Sequence, residues 1–343
     1  MVDFIIVGQG LAGSVLALQL LKQGQRVLVI GNSQAPSASD VAAGLYNPMT
    51  GRHMVKTWLA DTLFPYLTQF YQAAERTLGT SFLYPMPIFR PFVTPQERTM
   101  WKKKAGDYTD FIAAVAPSPP YSAYQYDGLV LQQAGYLDTR CFVQATRAYL
   151  DQQGAYREGA FVYDQLQLGE QVHYQGLTAQ QIIFCEGAQA LHNPFFKTLP
   201  FRLVKGELLS VALPQSLAMI YNRGVFVRPQ PGRQALVGAT YDKEDLSWNP
   251  TEKARQALEA RLRQSFRLPY TVQDQWAGIR PATFDHRPLI GLHPQYPQIG
   301  IFNGLGSKGV SLAPYWAHIF VQHLLSHQAL PPAVQLTRAG PAL

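Results

Sequence analysis

The feature that most constrains this chain is a glycine turn set between two different apolar periods. Phe4-Ile5-Ile6-Val7 is a short run without polar alternation, and Gly8-Gln9-Gly10-Leu11-Ala12-Gly13 follows it directly. Such a run suits a strand buried on both faces of a parallel sheet. From Leu11 to Gln23 the period becomes helical, with Ala12, Leu16 and Leu20 spaced by four, and Gly24 supplies a left-handed stop. Val27 to Ile30 reads as a second strand. Strand, turn, helix and strand within about 30 residues make a nucleotide-binding βαβ unit. Gly8 permits the tight turn, Gly10 lets a pyrophosphate approach the backbone, and Gly13 lets helix and strand pack closely. The helix start at Leu11 and Ala12 offers unpaired N–H donors to phosphate. One component is missing. The second strand of such a unit usually ends in an acid for the ribose, and here that position is Gly31, with Asn32 and Ser33 as the nearby hydrogen-bonding residues.

A second turn of the same pattern, Gly304-Leu305-Gly306-Ser307-Lys308-Gly309, follows Ile299-Gly300-Ile301-Phe302-Asn303 near the other end of the sequence. Two such turns suggest one large cofactor held from both ends of the chain, and a flavin dinucleotide has two such ends, a pyrophosphate and a ring system. Between them, Ser39 to Pro48 includes the small-residue run Ala42-Ala43-Gly44-Leu45, suited to backbone lying against a flat ring. Cys185-Glu186-Gly187 is a further strand-to-turn glycine, after Gln181 to Phe184. No Arg sits at the end of the second strand to read a 2′-phosphate.

The remaining composition narrows the class. The 343 residues can bury a sizeable core as one or two domains. The formal charge of +7 permits anionic partners, but its densest cluster, Lys102-Lys103-Lys104, is too short for a nucleic-acid arm. Cys141 and Cys185 offer neither metal spacing nor a disulfide framework, which suits reduced thiols in a cytoplasmic protein. No metal site is expected, since His318, His323 and His327 scatter around one helix. The apolar stretch Phe4 to Leu21 imitates a signal peptide, yet it is preceded by Asp3 and interrupted by three glycines and Gln9, so no membrane span is expected.

Further along, a helical period runs from Lys56 to Leu78, and four prolines between 84 and 95 mark extended edges. Regular structure resumes with a helix near 139–153, strands at Ala160-Phe161-Val162 and Gln181 to Phe184, strand-like pieces over 201–241, and an amphipathic helix from Thr251 to Phe266. Residues near 83–132 read as an insertion.

Several segments in fixed order resemble the D-amino-acid oxidase family of flavoproteins, its glycine oxidase and sarcosine oxidase branch especially. Val7 to Gly13 matches its FAD entry motif, and Ala42-Ala43-Gly44-Leu45 its flavin-side segment. Lys205-Gly206-Glu207 resembles a strand start and Val237-Gly238-Ala239-Thr240 a strand of that family. The strongest likeness runs from Trp276-Ala277-Gly278-Ile279-Arg280-Pro281 through Asp285 to Gly291. The last is Asn303-Gly304 through Pro314.

The resemblance implies an α/β fold with a Rossmann-like, discontinuous FAD domain (1–82, 133–200 and 276–343) and an α+β substrate domain on an antiparallel sheet (83–132 and 201–275). It implies that Arg280 pairs with a substrate carboxylate, that Val162 meets the adenine through its backbone, and that Gly304 to Val310 holds the flavin ring. Ser307 and Lys308 would then lie near the flavin C2 carbonyl, although Lys308 alone reads equally well as solvent-facing. Phe226 stands where glycine oxidase has a substrate-facing Tyr, which puts that contact in doubt. Tyr46 and Asn47 are candidates to line the pocket, with Tyr46 and Lys308 also entering as catalytic candidates beside Arg280. Tyr221 and Tyr241 are weaker pocket candidates, and Arg52-His53 and His286-Arg287 are candidates for its rim. No cysteine lies in the final glycine turn and no His precedes Ala42, so the FAD is expected to be non-covalent.

The implied reaction is oxidation of the C–N bond of a small amino acid or N-substituted glycine, with O2 or another electron acceptor. Two other functions stay open: modification of a carboxymethylamino group on tRNA, which salt-dependent tRNA binding would support, and flavin binding without turnover.

Overall fold

The computed structural model describes residues 1–51 and 54–339. Its first sheet has eight strands and a parallel centre in the order Tyr156–Glu158, Val27–Gly31, Val2–Val7, Leu177–Phe184 and Ile299–Asn303. The first strand explains its own composition. Alternate side chains point to opposite faces, and both faces are covered. Phe4 and Ile6 join a core with Val15, Leu16 and Leu20 of the helix Leu11–Lys22. Ile5 and Val7 join another with Val172, Tyr174 and Phe184.

A second eight-stranded sheet runs Thr271–Thr283, Phe201–Ala212, Gln234–Gly238, Val225–Gln230, Ile220–Arg223, Ile88–Pro91, Gly128–Leu131 and Ile112–Ala116. It is antiparallel throughout except where Ile220–Arg223 lies parallel to Ile88–Pro91. The fold is therefore mixed α/β, with a parallel-rich sheet and a largely antiparallel one. The back of the second sheet buries Leu209, Val227 and Val237 against Leu258 and Leu262 of the helix Glu252–Ser265. Thr251 caps that helix through the Ala254 N–H.

A small three-stranded sheet, Leu45–Tyr46, Gly135–Leu137 and Leu83–Pro85, stitches the segments together. Helix Gly309–Ser326 packs on both Leu11–Lys22 and Ala60–Leu78. Pro314 has no N–H to give the Val310 carbonyl four residues back, and that carbonyl instead accepts from the Tyr71 hydroxyl at 3.2 Å.

Some local expectations are corrected. Residues 160–162 form no strand; the strand is Tyr156–Glu158, and Gly159 turns away with φ +147°. The helix expected from Lys56 begins at Ala60, because Val55–Lys56 pairs with Met49–Thr50 in a hairpin. Lys205-Gly206-Glu207 sits in the middle of Phe201–Ala212, not at its start. Pro95 opens a helix, Pro95–Lys104, at a position where its missing N–H costs nothing. Lys102 ends that helix paired with Asp127 at 3.1 Å. Among the described residues no helix is long and apolar enough to cross a membrane, and no His, Cys, Asp or Glu cluster could hold a metal ion.

Candidate active site

The first glycine turn is shaped for close approach. Gly8 holds φ +99°, and a Cβ on Gly13 would lie 1.9 Å from the Gly8 carbonyl oxygen. The helix it opens has no side-chain cap from Gly10 and no acid in its first turn, which favours an anion there. Leu11 N–H donates to the Ser39 hydroxyl at 2.9 Å. Behind the turn, buried Gln9 donates to Ser14 and to the Val143 carbonyl and accepts from Arg147 at 2.8 Å.

Leu11, Ala12, Ala43 and Leu45 are only partly buried and Ala42 is exposed, so the small-residue run presents an apolar ledge beside the turn. Gly44 is buried against the Leu137 carbonyl. At the other end of the chain, Gly304 (φ +78°) leads into Gly306–Lys308 and then the helix from Gly309, with Val310 buried. Asn303 joins two strand ends, donating to the Gly187 carbonyl at 2.9 Å while its own carbonyl oxygen accepts from Gly304 N–H. Lys308 is half-buried, and desolvation lowers its pKa. Ser307 is exposed.

The strand Thr271–Thr283 runs between these two segments. A Cβ on Gly278 would lie 2.5 Å from Val41, and one on Gly306 would lie 3.4 Å from Ala282. Arg280, between Gly278 and Ala282, therefore stands at the junction of the two sheets. Its guanidinium lies flat across Gly206, where a Cβ would come within 1.9 Å of Nη2. It donates to the Thr240 carbonyl at 3.2 Å and rests 4.6 Å from the centre of the Tyr241 ring. Desolvation lowers its pKa, and no carboxylate pairs with it among the described residues.

The neighbours of Gly206 in sequence explain how Thr240 and Tyr241 reach that place. Lys205, fully buried, donates to Asp245 at 2.5 Å, to Ser247 and to the Asn249 carbonyl. Glu207 accepts from the Thr251 N–H and hydroxyl and from Gln275. Glycine faces forward beneath the guanidinium while the two charged residues pin the 239–251 loop from behind.

Cross-strand register puts Phe226, Gly238, Leu208 and Trp276 in one row on the face that carries Arg280. Arg228 belongs to the next row of that face. It is 7% exposed, lies 4.1 Å from the Tyr136 ring centre, and its Nε has no hydrogen-bond partner among the described residues. Sequence inspection passed over this residue, since Arg-Pro on a strand carries no signal of its own.

The other expected residues fall into different places. Tyr46 is 4% exposed, packed 6.3 Å from Phe64, and burial and Glu75 raise its pKa. It is a core residue, and its half-exposed neighbour Leu45 faces the ledge. Asn47 organises a turn, accepting from Met49 N–H and from the Thr57 hydroxyl. Tyr221 is buried behind the sheet and donates to the Ser265 carbonyl. The Val162 backbone is engaged, its N–H with the Tyr174 hydroxyl and its carbonyl with Gln165. Asn32 uses its side-chain oxygen on Gln34 N–H, and Ser33 N–H donates to Glu158. Arg287 stacks on Trp58 at 4.9 Å, His286 holds φ +58°, and Arg52 and His53 lie outside the described residues. Glu186, part of a strand-to-turn glycine segment in the sequence, is partly buried with Tyr163 and Asn193 as partners, and desolvation pushes its pKa up to about 7.

A glycine-cradled helix start and a partly buried guanidinium without a carboxylate partner among the described residues thus meet at this junction of the two sheets. The family model for FAD dependent oxidoreductases (DAO) matches residues 3–323. The chain belongs to this family. A bifunctional ThiO/ThiG protein of Nostoc sp. is 23% identical over 366 aligned positions, covering 96% of this chain and 53% of the relative. The chain thus spans about half the length of that relative. A glycine oxidase of Pseudomonas aeruginosa is 23% identical, with 90% and 91% of the two chains covered. Among solved structures, the iminodiacetate oxidase of Chelativorans sp. BNC1 superposes with a TM-score of 0.79 at 19% identity, covering 99% of each chain. That likeness establishes the DAO fold. The residues present fit FAD: backbone packs against Gly8 and Gly13 too closely for a Cβ at either, and the half-buried Lys308 and the Arg280 guanidinium lack anionic partners among the described residues.

Proposed function

We propose that this protein oxidises the C–N bond of a small amino acid or N-substituted glycine, giving an imine that water hydrolyses. The observation that carries the proposal is Arg280, a desolvated cation with no carboxylate partner among the described residues, held where the second sheet meets both glycine-rich turns. A planar guanidinium fork fixes both the position and the plane of a carboxylate. Residues 1–82, 133–200 and 276–343 would hold the cofactor, and 83–132 with 201–275 the substrate.

Bound FAD supplies the hydride acceptor, at its N5. The chain's own residues do the rest. Arg280 anchors the carboxylate, Tyr241 covers the guanidinium, and Phe226 offers an apolar wall where no hydrogen bond to substrate is available. Leu45 and the Ala42–Gly44 backbone exclude water from one side of the ring. Lys308 places positive charge at the start of a helix, where it would favour negative charge on the reduced ring. Attachment of FAD would be non-covalent, since Cys185 is buried behind Gly8 and Cys141 bonds the Ser81 carbonyl. The electrons would pass to O2 or another acceptor.

The test is anaerobic addition of glycine, sarcosine, D-alanine and L-proline to the purified flavoprotein, following loss of the visible flavin band. Bleaching by one of them is expected, and none bleaching would refute the reading. Arg280→Met should lower kcat/KM for a carboxylate substrate roughly ten- to hundredfold, the worth of one to two charge-assisted hydrogen bonds. Unchanged kcat/KM would remove Arg280 from the site.

A further inference from the structure

The second strand of the nucleotide-binding unit ends at Gly31, where an acid for the ribose is ordinarily found. The structure shows why no side chain stands there. A Cβ on Gly31 would lie 2.8 Å from Gln9 Cβ and 3.1 Å from the Tyr156 hydroxyl. The adjacent parallel strand, Tyr156–Glu158, pairs Glu158 directly with Gly31. Its carboxylate reaches across the end of Val27–Gly31. Oε1 accepts from Ser33 N–H at 2.7 Å, and Oε2 lies 2.8 Å from the Tyr156 hydroxyl, which is also 3.1 Å from the Gly31 carbonyl.

We propose that Glu158 accepts the hydroxyls of the adenosine ribose of FAD, a carboxylate supplied by the neighbouring strand in place of the one missing at Gly31. Ser33 and Tyr156 are positioning residues for it. A carboxylate has about four lone-pair sites; two are used, and Glu158 is exposed, so the other two are open to a ligand. Burial works against its charge, but the bonds from Ser33 and Tyr156 outweigh that and hold its pKa below the usual glutamate value. The alternatives are weaker. Asn32 has its side-chain oxygen committed to Gln34 N–H, and Ser33 is itself held by Glu158. The fixed position matters as much as the charge, because a carboxylate already ordered by two donors loses little freedom when a ribose arrives.

The inference rests on FAD being the cofactor. It is tested by titrating the apoprotein with FAD, with FAD carrying 2′-deoxyadenosine, and with FMN, reading flavin fluorescence. In the wild-type chain FAD should bind at least tenfold more tightly than its 2′-deoxy form, which corresponds to about 1.4 kcal/mol. Glu158→Gln should weaken FAD by a similar factor, abolish the difference between FAD and the 2′-deoxy form, and leave FMN binding unchanged. Tyr156→Phe should show a smaller loss in the same direction. FAD affinity unchanged in Glu158→Gln would overturn the proposal. So would equal weakening of FAD and FMN, which marks a general disturbance of the fold. A wild-type chain that binds no flavin at all would overturn the FAD reading, and this inference with it.

Discussion

Single residues here are placed by what surrounds them more than by their sequence neighbours. Glu186 is the clearest case. Its carboxyl is desolvated, its pKa is raised from 4.5 to about 7, and it keeps only Asn193 and the Tyr163 hydroxyl as partners. Because the folded value lies above the unfolded one, the folded state retains a proton that the unfolded chain gives up. Stability attributable to this group is intact below pH 4.5, falls as pH rises to about 7, and is constant above that. The difference corresponds to roughly 3 kcal/mol. Glu186→Gln keeps the shape and removes the ionisation. Its Tm should match wild type near pH 4.5 and exceed it above about pH 7, measured by calorimetry across that range. A pH-independent difference would contradict the assignment. The glycine turns were legible in the sequence because their constraint is local, a tight turn and a close helix. Glu158 and Arg228 were not, since their settings come from cross-strand register: Glu158 meets Gly31 across a pair of strands far apart in sequence.

At the scale of elements, the strand Phe201–Ala212 is a two-sided device. Gly206 gives room for Arg280 on the front, and Lys205 and Glu207 fasten the 239–251 loop on the back. The Lys-Gly-Glu pattern was recognisable in the sequence as a family feature, but its division between faces follows only from the period of two along a strand. Lys205→Met would leave Glu207 and the loop's Asp245 without their buried cation, and removing one partner of a buried pair is strongly destabilising. Tm should fall by roughly 5 °C or more. KM for a carboxylate substrate should rise more than kcat falls, because Thr240 and Tyr241 lose their fixed place over Arg280. Steady-state kinetics beside a thermal melt separates the two effects, and an unchanged KM would show that the loop does not position Arg280. The helix Glu252–Ser265 was readable from end to end, since its cap, its charged face and its apolar spacing agree. The strand expected over 160–162 was misplaced because Phe161 and Val162 have strand-like side chains, whereas Gly159 has already turned the chain.

For the whole molecule, the backbone proposed to hold the cofactor comes from three distant stretches, near residues 8–13, 42–45 and 304–310, which meet only in the folded chain. A ligand bound to all three favours the native state alone, so stability depends on its concentration. At a hundredfold excess over Kd the gain is about 2.7 kcal/mol. Adding FAD to the apoprotein should therefore raise Tm by roughly 5 °C or more, with FMN giving a smaller rise. A Tm indifferent to FAD would mean that these segments do not form one site. The division into two sheets was expected from the family resemblance. The three-stranded sheet that joins them was not, because its strands are two or three residues long and carry no periodicity.

The tie between Tyr71 and Val310 has a consequence for how such a chain can vary. A proline four residues after Val310 strips one rung from a helix, and the vacated acceptor becomes the socket for a hydroxyl on another helix. The flaw and the fastening are thus one feature. Restoring the rung at Pro314 would set a helical N–H and a phenol in rivalry for the same oxygen, while losing the phenol would leave the break without its repair. Drift at either position is therefore tethered to the other, although 239 residues separate their partners in the chain.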